Sequence, residues 1–330
     1  MAIISVLDVG HGNCTVIQDA QNVIIDAGFG DGLLNFLQQA RITRIDQIMV
    51  SHADSDHLRG LIALLSLATI SIGKLYLNTD STRSANTDKF WKDVIFLIED
   101  AIINNRMDEN PVELYRTGAL IDIGEFKLEV VYPTYSLIKT GPGGISPDGH
   151  SMSSNGLSAV IKVLTTQVSA LLLPGDVDEF GLEQIKKLGF NIEAQVAVFP
   201  HHGGNADTNN LADFTTHFCQ LVSPNTVLFS TGRGKYGTPR MEIVSTIKAL
   251  LPLAYISCTQ LSKSCAKLPP LASNSHLNAA FAKGKSNNSC CGGTFELNVT
   301  NATVTIVPKA AHESFVNTYV PLAVCRIYPN

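Results

Sequence analysis

The chain has 330 residues, of which 45% are hydrophobic and 16% charged; this excludes a disordered chain and suits one large or two ordinary packed domains. A formal net charge of -5 gives no global attraction to nucleic acid and leaves only a local basic groove for such a partner. Seven cysteines, no basic leader in Met1–Val9 and no apolar run of membrane-span length point to a cytoplasmic protein with thiols or metal ligands rather than a disulfide frame.

Ile3 to Leu7 and Cys14 to Ile17 read as strands around the turn Gly10-His11-Gly12-Asn13. His11 reads there as a turn or packed histidine, because a neutral imidazole is easily satisfied by local hydrogen bonds. Asn22 to Ile25 is a third strand, Leu33 to Ala40 an amphipathic helix, and Ile45 to Val50 a buried strand. Ser51-His52-Ala53-Asp54-Ser55-Asp56-His57 follows, and Leu58, Leu61, Ile62, Leu64 and Leu65 then open a helical pattern. Four metal-ligating side chains thus fall within six residues, on a loop at the carboxyl end of a strand, where α/β proteins place their sites. Imidazole with carboxylate suits zinc, manganese or iron, not the all-oxygen cage of calcium. A polar turn with Asp54 as helix cap is the plain alternative, but capping needs only one of the four.

Lys74 to Leu77 is a strand, and Trp91, Val94, Ile98 and Ile102 recur at helical spacing within a helix expected from Asp88 to Asn104. Phe126 to Tyr132 is a strand closed by Pro133, and a Gly/Pro/Ser-rich loop from Thr140 to Asn155 leads to the strand Leu157 to Leu164. Val168 to Leu173 is a buried strand ending in Pro174-Gly175-Asp176, with Asp178 as cap of a helix from Glu179 to Leu188. Gln195 to Phe199 runs into Pro200-His201-His202-Gly203-Gly204; helix Leu211 to Gln220, strand Thr226 to Ser230, helix Arg240 to Leu251 and strand Ala254 to Ile256 follow. Cys258, Cys265, Cys290 and Cys291 flank a polar segment ahead of a hairpin, Thr294 to Val299 and Thr303 to Val307. Their spacing does not match zinc-ribbon pairs, so a structural zinc and buried thiols both stay open.

His52-x-Asp54-x-Asp56-His57 resembles the HxHxDH motif of the metallo-β-lactamase fold, with aspartate in place of the second histidine. With Asp8-Val9-Gly10-His11-Gly12-Asn13 upstream, the chain is similar to the soluble hydrolase domain of competence DNA-uptake (ComEC) proteins and its free-standing relatives, over about residues 1 to 250. The resemblance implies an α+β four-layer αββα sandwich over residues 1–255, with 256–330 as a Cys-containing strand-rich extension packed on it. It implies His52, Asp54 and His150 on one divalent metal, Asp56, His57 and His202 on a second, and Asp176 bridging, the metals being zinc or manganese. His150 is otherwise a flexible loop histidine, and Asp26 is either a support for the ligands or a strand-end turn residue.

The resemblance also gives His201 a catalytic or substrate-contacting role and makes Arg233, Lys235 and Thr238 substrate candidates; Arg233 and Lys235 are otherwise an exposed basic turn, and Thr238 stands where relatives often have histidine. The activity implied is hydrolysis of a phosphodiester, in nucleic acid or a nucleotide, by a hydroxide shared between two cations, with Asp56 and Asp176 central. A thioester, lactone or β-lactam hydrolase, or a metal-holding protein that binds a protein partner with little turnover, are the other readings. A basic groove around Arg59, Arg233, Lys235 and Arg240 favours the phosphodiester; an apolar pocket disfavours it.

Overall fold

The structure, a computed structural model, describes residues 2–28, 31–78, 89–234, 236–270 and 274–326. Six strands begin the chain: β1 (Ile3–Val6), β2 (Cys14–Gln18), β3 (Asn22–Ala27), β4 (Arg44–Val50), β5 (Ser71–Leu77) and β6 (Val112–Glu113). They lie side by side in that order. A second sheet holds β7 (Leu120–Asp122), β8 (Lys127–Tyr132), β9 (Val160–Leu164), β10 (Ser169–Leu173), β11 (Val196–Val198), β12 (Thr226–Phe229) and β13 (Tyr255–Cys258), again in sequence order. The chain then returns to the first sheet with β14 (Phe295–Thr300) and β15 (Thr303–Val307). The helices are α1 (Asp31–Ala40), α2 (Ser55–Ser66), α3 (Lys89–Ile103), α4 (Tyr135–Thr140), α5 (Glu179–Lys187), α6 (Leu211–Val222), α7 (Met241–Leu250) and α8 (Lys309–Tyr319).

The two-residue period of the strands sorts their side chains into three cores. On β3, Val23 and Ile25 face the second sheet, where they meet residues such as Leu128, Ile161, Leu171 and Val198. Ile24, between them, faces outward with Ile48 and Val50 onto Leu33, Phe36, Leu58, Leu61, Trp91 and Val94 of α1–α3. The outer face of the second sheet does the same with Leu172, Ala197 and Phe229 against Leu182, Phe214, Phe218, Ile247 and Phe315. Helices outside and two sheets inside make the expected four-layer αββα sandwich.

The segment after residue 255, expected as an extension packed on the core, is woven into both sheets. Tyr255–Cys258 is the edge strand of the second, and β14 pairs antiparallel with β1 (Val6 opposite Phe295). The reason is hydrogen bonding: without β14, β1 would leave a row of unpaired backbone groups at the sheet edge. Phe295 is completely buried between the sheets. Phe295→Ala should therefore cost about 3–5 kcal/mol of folding stability. Leu253→Ala, at a side chain 98% exposed, should cost less than about 0.5 kcal/mol. Urea unfolding midpoints measure both; an unchanged midpoint for Phe295→Ala would contradict an integral C-terminal segment.

Candidate metal centre

Strands β3–β6 run parallel, as do β10–β13. Parallel strands point their carboxyl ends to one side, so the loops leaving β3, β4, β10, β11 and β12 meet at one edge of the sandwich. The turn from β1 to β2 joins them, because β2 starts opposite the end of β3 (Cys14 opposite Ala27).

His52, His57 and Asp176 form one buried set, with ligand atoms within 4.8 Å of one another. Asp26 orients it. Its carboxylate accepts hydrogen bonds from the Ser51 backbone N–H (2.7 Å) and the Ser51 hydroxyl (2.9 Å), and lies 2.8 Å from Nδ1 of His57. That proton on Nδ1 leaves Nε2 of His57 as the lone-pair atom, 3.1 Å from Oδ1 of Asp176. His52 is held through Nδ1 by the hydroxyls of Ser51 (3.1 Å) and Ser158 (3.0 Å), and Ser158 Oγ also accepts the Asp176 N–H.

His11, Asp56 and His202 form the second set. Asp56 Oδ2 lies 3.3 Å from Nε2 of His11 and 3.4 Å from Nε2 of His202. Gly12 makes the first approach possible: a Cβ there would stand 2.4 Å from the Asp56 carbonyl oxygen. His202 donates from Nδ1 to the Ser230 carbonyl (2.7 Å) and turns Nε2 inward. Its backbone and that of His201 are left-handed (φ 55° and 51°), which costs each residue roughly 1–2 kcal/mol and is held by the fold around it. Asp176 stands between the sets. Its Oδ1 faces His57, and its Oδ2 lies 3.6 Å from His202 Nε2 and 3.4 Å from His201 Nδ1.

Charges in the site lean on one another. Burial opposes a charge on His57, but Asp176 and Asp26 outweigh it and lift its pKa well above the ordinary imidazole value. His202 is raised in the same way, against burial, by Asp176 and Asp56. Burial likewise works to raise Asp176 and Asp56; His202 and His57 hold Asp176 low, and hydrogen bonds from His11 and His202 hold Asp56 low. Asp54 is lowered chiefly by His52, whose Nε2 lies 3.7 Å from its Oδ2.

These side chains fit divalent cations. Nε2 of His52, His57 and His202 and Oδ1 of Asp176 are buried and make no well-formed hydrogen bond; the imidazole nitrogens have only carboxylate oxygens 3.1 Å, 3.4 Å and 3.7 Å away, an arrangement that a cation between them would complete. Imidazole nitrogens with their other nitrogen tied to a carboxylate or carbonyl are typical of zinc and manganese sites.

The expected residues are redistributed. His57 joins His52 and Asp176 instead of Asp56 and His202, because Asp26 pulls its ring that way. Asp54 is half-exposed, with Oδ2 3.7 Å from His52 Nε2; it is the N-cap residue of α2 but makes no capping bond with its side chain. His150 is not brought to either set. It is exposed, because its loop closes on itself through Ser146 N–H to His150 O (2.8 Å) and Met152 N–H to Gly144 O (3.0 Å). Arg233 faces away from the site, donating to the carbonyls of Leu261 (2.6 Å), Ala266 (2.8 Å) and Lys267 (3.0 Å). Thr238 is buried at the cavity wall, 2.6 Å from the Thr231 hydroxyl, and Lys235 lies outside the described residues. Asp178 caps α5 by accepting the Gly181 N–H. Of the four cysteines, Cys290 turns to Asp8, while Cys258, Cys265 and Cys291 line a small apolar cavity with Cys325.

Sequence reading takes His11 as a turn or packed histidine, where the structure brings it to Asp56 and His202, and it passes over Ser158 and Asn155. Asn155 Nδ2 is 3.5 Å from His201 Nδ1. Above both sets opens a mainly polar cavity of about 730 Å³, lined among others by Arg59, His201, Asn205, Tyr236, Thr238 and Arg240. A groove of about 820 Å³ at the other ends of the strands, along Leu250–Ala254 and β15, gathers no ligand set among the described residues.

Residues 7–81 match the profile of the metallo-beta-lactamase superfamily. The chain is similar to competence protein ComA of Neisseria gonorrhoeae, 25% identical over 255 residues, which cover 75% of this chain and 30% of that protein. It is also similar to ComE operon protein 3 of Bacillus subtilis (strain 168), 21% identical over 218 residues, 66% of this chain and 24% of that one. It therefore spans less than a third of the length of these curated relatives. Among solved structures, the metallo-beta-lactamase fold protein YhfI from Bacillus subtilis aligns with a TM-score of 0.48 at 10% identity, over 78% of this chain and 96% of that one. The matched segment contains His11, Asp26, His52, Asp54, Asp56 and His57.

Proposed function

We propose that this chain is a metal-dependent hydrolase of phosphodiesters, in nucleic acid or nucleotides. The observation that carries the reading is the pair of ligand sets meeting at Asp176, under a polar cavity with Arg59 and Arg240 in its wall. His52, His57 and Asp176 would hold one divalent cation, and His11, Asp56 and His202 a second, with Asp54 beside the first. Such cations supply Lewis acidity toward phosphoryl oxygens and a hydrolytic nucleophile at neutral pH. Four imidazoles among the donors suit zinc as well as manganese.

The chain's own groups do the rest. Asp26, Ser158 and the Ser230 carbonyl fix the three inner imidazoles, so the ligand atoms are in place before substrate arrives. Arg59 and Arg240 would hold the phosphate by its non-reacting oxygens. His201 is 29% exposed at the cavity wall, with Nδ1 against Asp176 and Asn155, and would give a proton to the leaving oxygen. Lactone, thioester and β-lactam substrates call for a more apolar wall than this one.

Purified without chelator, the protein should carry about two Zn or Mn per chain. His57→Ala, Asp176→Ala and His11→Ala should each lower that content, and His150→Ala should leave it unchanged. Hydrolysis of bis-p-nitrophenyl phosphate should fall with the metal. Two metals per chain with no turnover of any phosphodiester would move the reading to a partner-binding protein. Asp26→Asn should weaken metal binding by about 10–100-fold with little change in unfolding midpoint, read by titration against a metal indicator. Protons on His57 and His202 must leave before a cation binds, and their pKa values are raised. Metal affinity should therefore climb as pH rises from 6 to 8; a flat profile would contradict imidazole ligation.

A further inference from the structure

The loop Thr231–Pro239 carries a tyrosine that the metal chemistry does not use. Tyr236 is 59% exposed, yet it lines the cavity over the two ligand sets. Its ring lies against that of His11, with centroids 4.5 Å apart and planes tilted by 55°. An aromatic ring more than half exposed at the mouth of a polar cavity, beside Arg59 and Arg240, is a surface on which a flat ligand can stack.

The loop is braced to keep the ring there. The Arg233 side chain clamps three carbonyls of the segment 261–267, and its backbone N–H donates to Gln260 Oε1 (2.9 Å). Gln260 in turn donates to Asp8 Oδ1 (2.9 Å), which also accepts the Gly10 N–H (3.1 Å). Gly232 seals the junction: a Cβ there would lie 2.5 Å from the His11 backbone nitrogen. Gly232, Arg233 and the His11 turn are therefore held together, and Tyr236 meets that turn through its ring. Arg59 and Arg240 line the same cavity.

We infer that Tyr236 is a stacking platform for the nucleobase next to the scissile phosphate, which makes single-stranded nucleic acid the substrate of this site. The inference rests on the phosphodiester reading above and narrows it. Aromatic faces take bases of any sequence, and flanking cations take the backbone, so recognition would be tolerant of sequence. A duplex hides its base faces in the stack and would have to be opened first. The net charge of -5 fits such a local device, since the chain has no general attraction to a polyanion.

The test uses the metal-loaded full chain and DNA tetranucleotides with one non-hydrolysable methylenephosphonate link. One strand carries a base beside that link and the other an abasic residue. Wild type should bind the base-bearing strand at least about fivefold tighter, the low end of what one stacked base contributes. Tyr236→Ala should abolish the preference and keep its metals; Tyr236→Phe and Tyr236→Trp should retain it. Duplex DNA should compete poorly. Equal binding of the two strands by wild type overturns the inference, as does a Tyr236→Ala loss that is the same for both strands, which would make the ring a mere support for His11. Turnover is read separately on a hydrolysable strand and on bis-p-nitrophenyl phosphate. A base preference without any turnover would remove the hydrolase reading and leave the stacking site; turnover without a base preference would do the reverse.

Discussion

The carboxylate of Asp26 is the fixed point of this site. It sits at the end of β3 in a left-handed backbone conformation (φ 56°), accepts both donors of Ser51 and takes the Nδ1 side of His57. The backbone conformation costs roughly 1–2 kcal/mol. Hydrogen bonds of this kind, at roughly 1.5–3 kcal/mol each, offset that backbone cost. Its effect is directional. With Nδ1 occupied, His57 can present only Nε2 to the centre, and the same device recurs at His52 through Ser158 and at His202 through the Ser230 carbonyl. The ligand cage is thus built from its outer hydrogen bonds inward.

That cage needs both sheets. Asp26, His52 and His57 come from the first, and Asp176 and His202 from the second. What registers one sheet against the other is the apolar layer of Val23, Ile25 and Met49 on Ile161, Leu171 and Val198. The C-terminal segment adds a second tie through buried Asp8. Its oxygens accept from Gln260 and from the Gly284 N–H (2.9 Å), so residues far along the chain hold the turn that carries His11. Burial pushes the Asp8 carboxyl up against these hydrogen bonds, which marks them as the reason an acid is kept there.

The layers and the ligand loop were legible because they rest on local patterns. The continuous apolar run Val23–Ile25 marks a buried strand, and a run of apolar residues ending in His-x-Asp-x-Asp-His marks a loaded strand end. The partition of the ligands was not legible, because it depends on register. His11 reaches Asp56 only because Cys14 stands opposite Ala27 and Gly12 lets two backbones touch. His150 sits in an inviting Gly-His-Ser context, yet backbone hydrogen bonds within its own loop decide where it goes. Arg233 misled for a related reason: a cation near the site in sequence found three unpaired carbonyls nearer to it in space. The segment after residue 255 read as an extension packed on the core because it leaves the pattern of the resembling family, whereas a sheet edge recruits any strand that can pair with it.

One consequence joins the electrostatics to the proposed reaction. Asp54, Asp56 and Asp176 all face the space where an anionic phosphate would lie, in a chain that is already acidic. Arg59 and Arg240 alone bring fewer charges than those three carboxylates carry. With His57 and His202 deprotonated, as metal binding requires, the pocket would repel an anionic phosphate without cations and attract it with them. Metal and phosphodiester binding are then linked, each strengthening the other by the same factor. Protons on His57 and His202, whose pKa values are raised, would offset part of that repulsion, but they would occupy ligand atoms and leave nothing to polarise a phosphoryl oxygen. An acidic pocket is therefore no argument against a phosphodiester substrate here; it would make catalysis conditional on the metal.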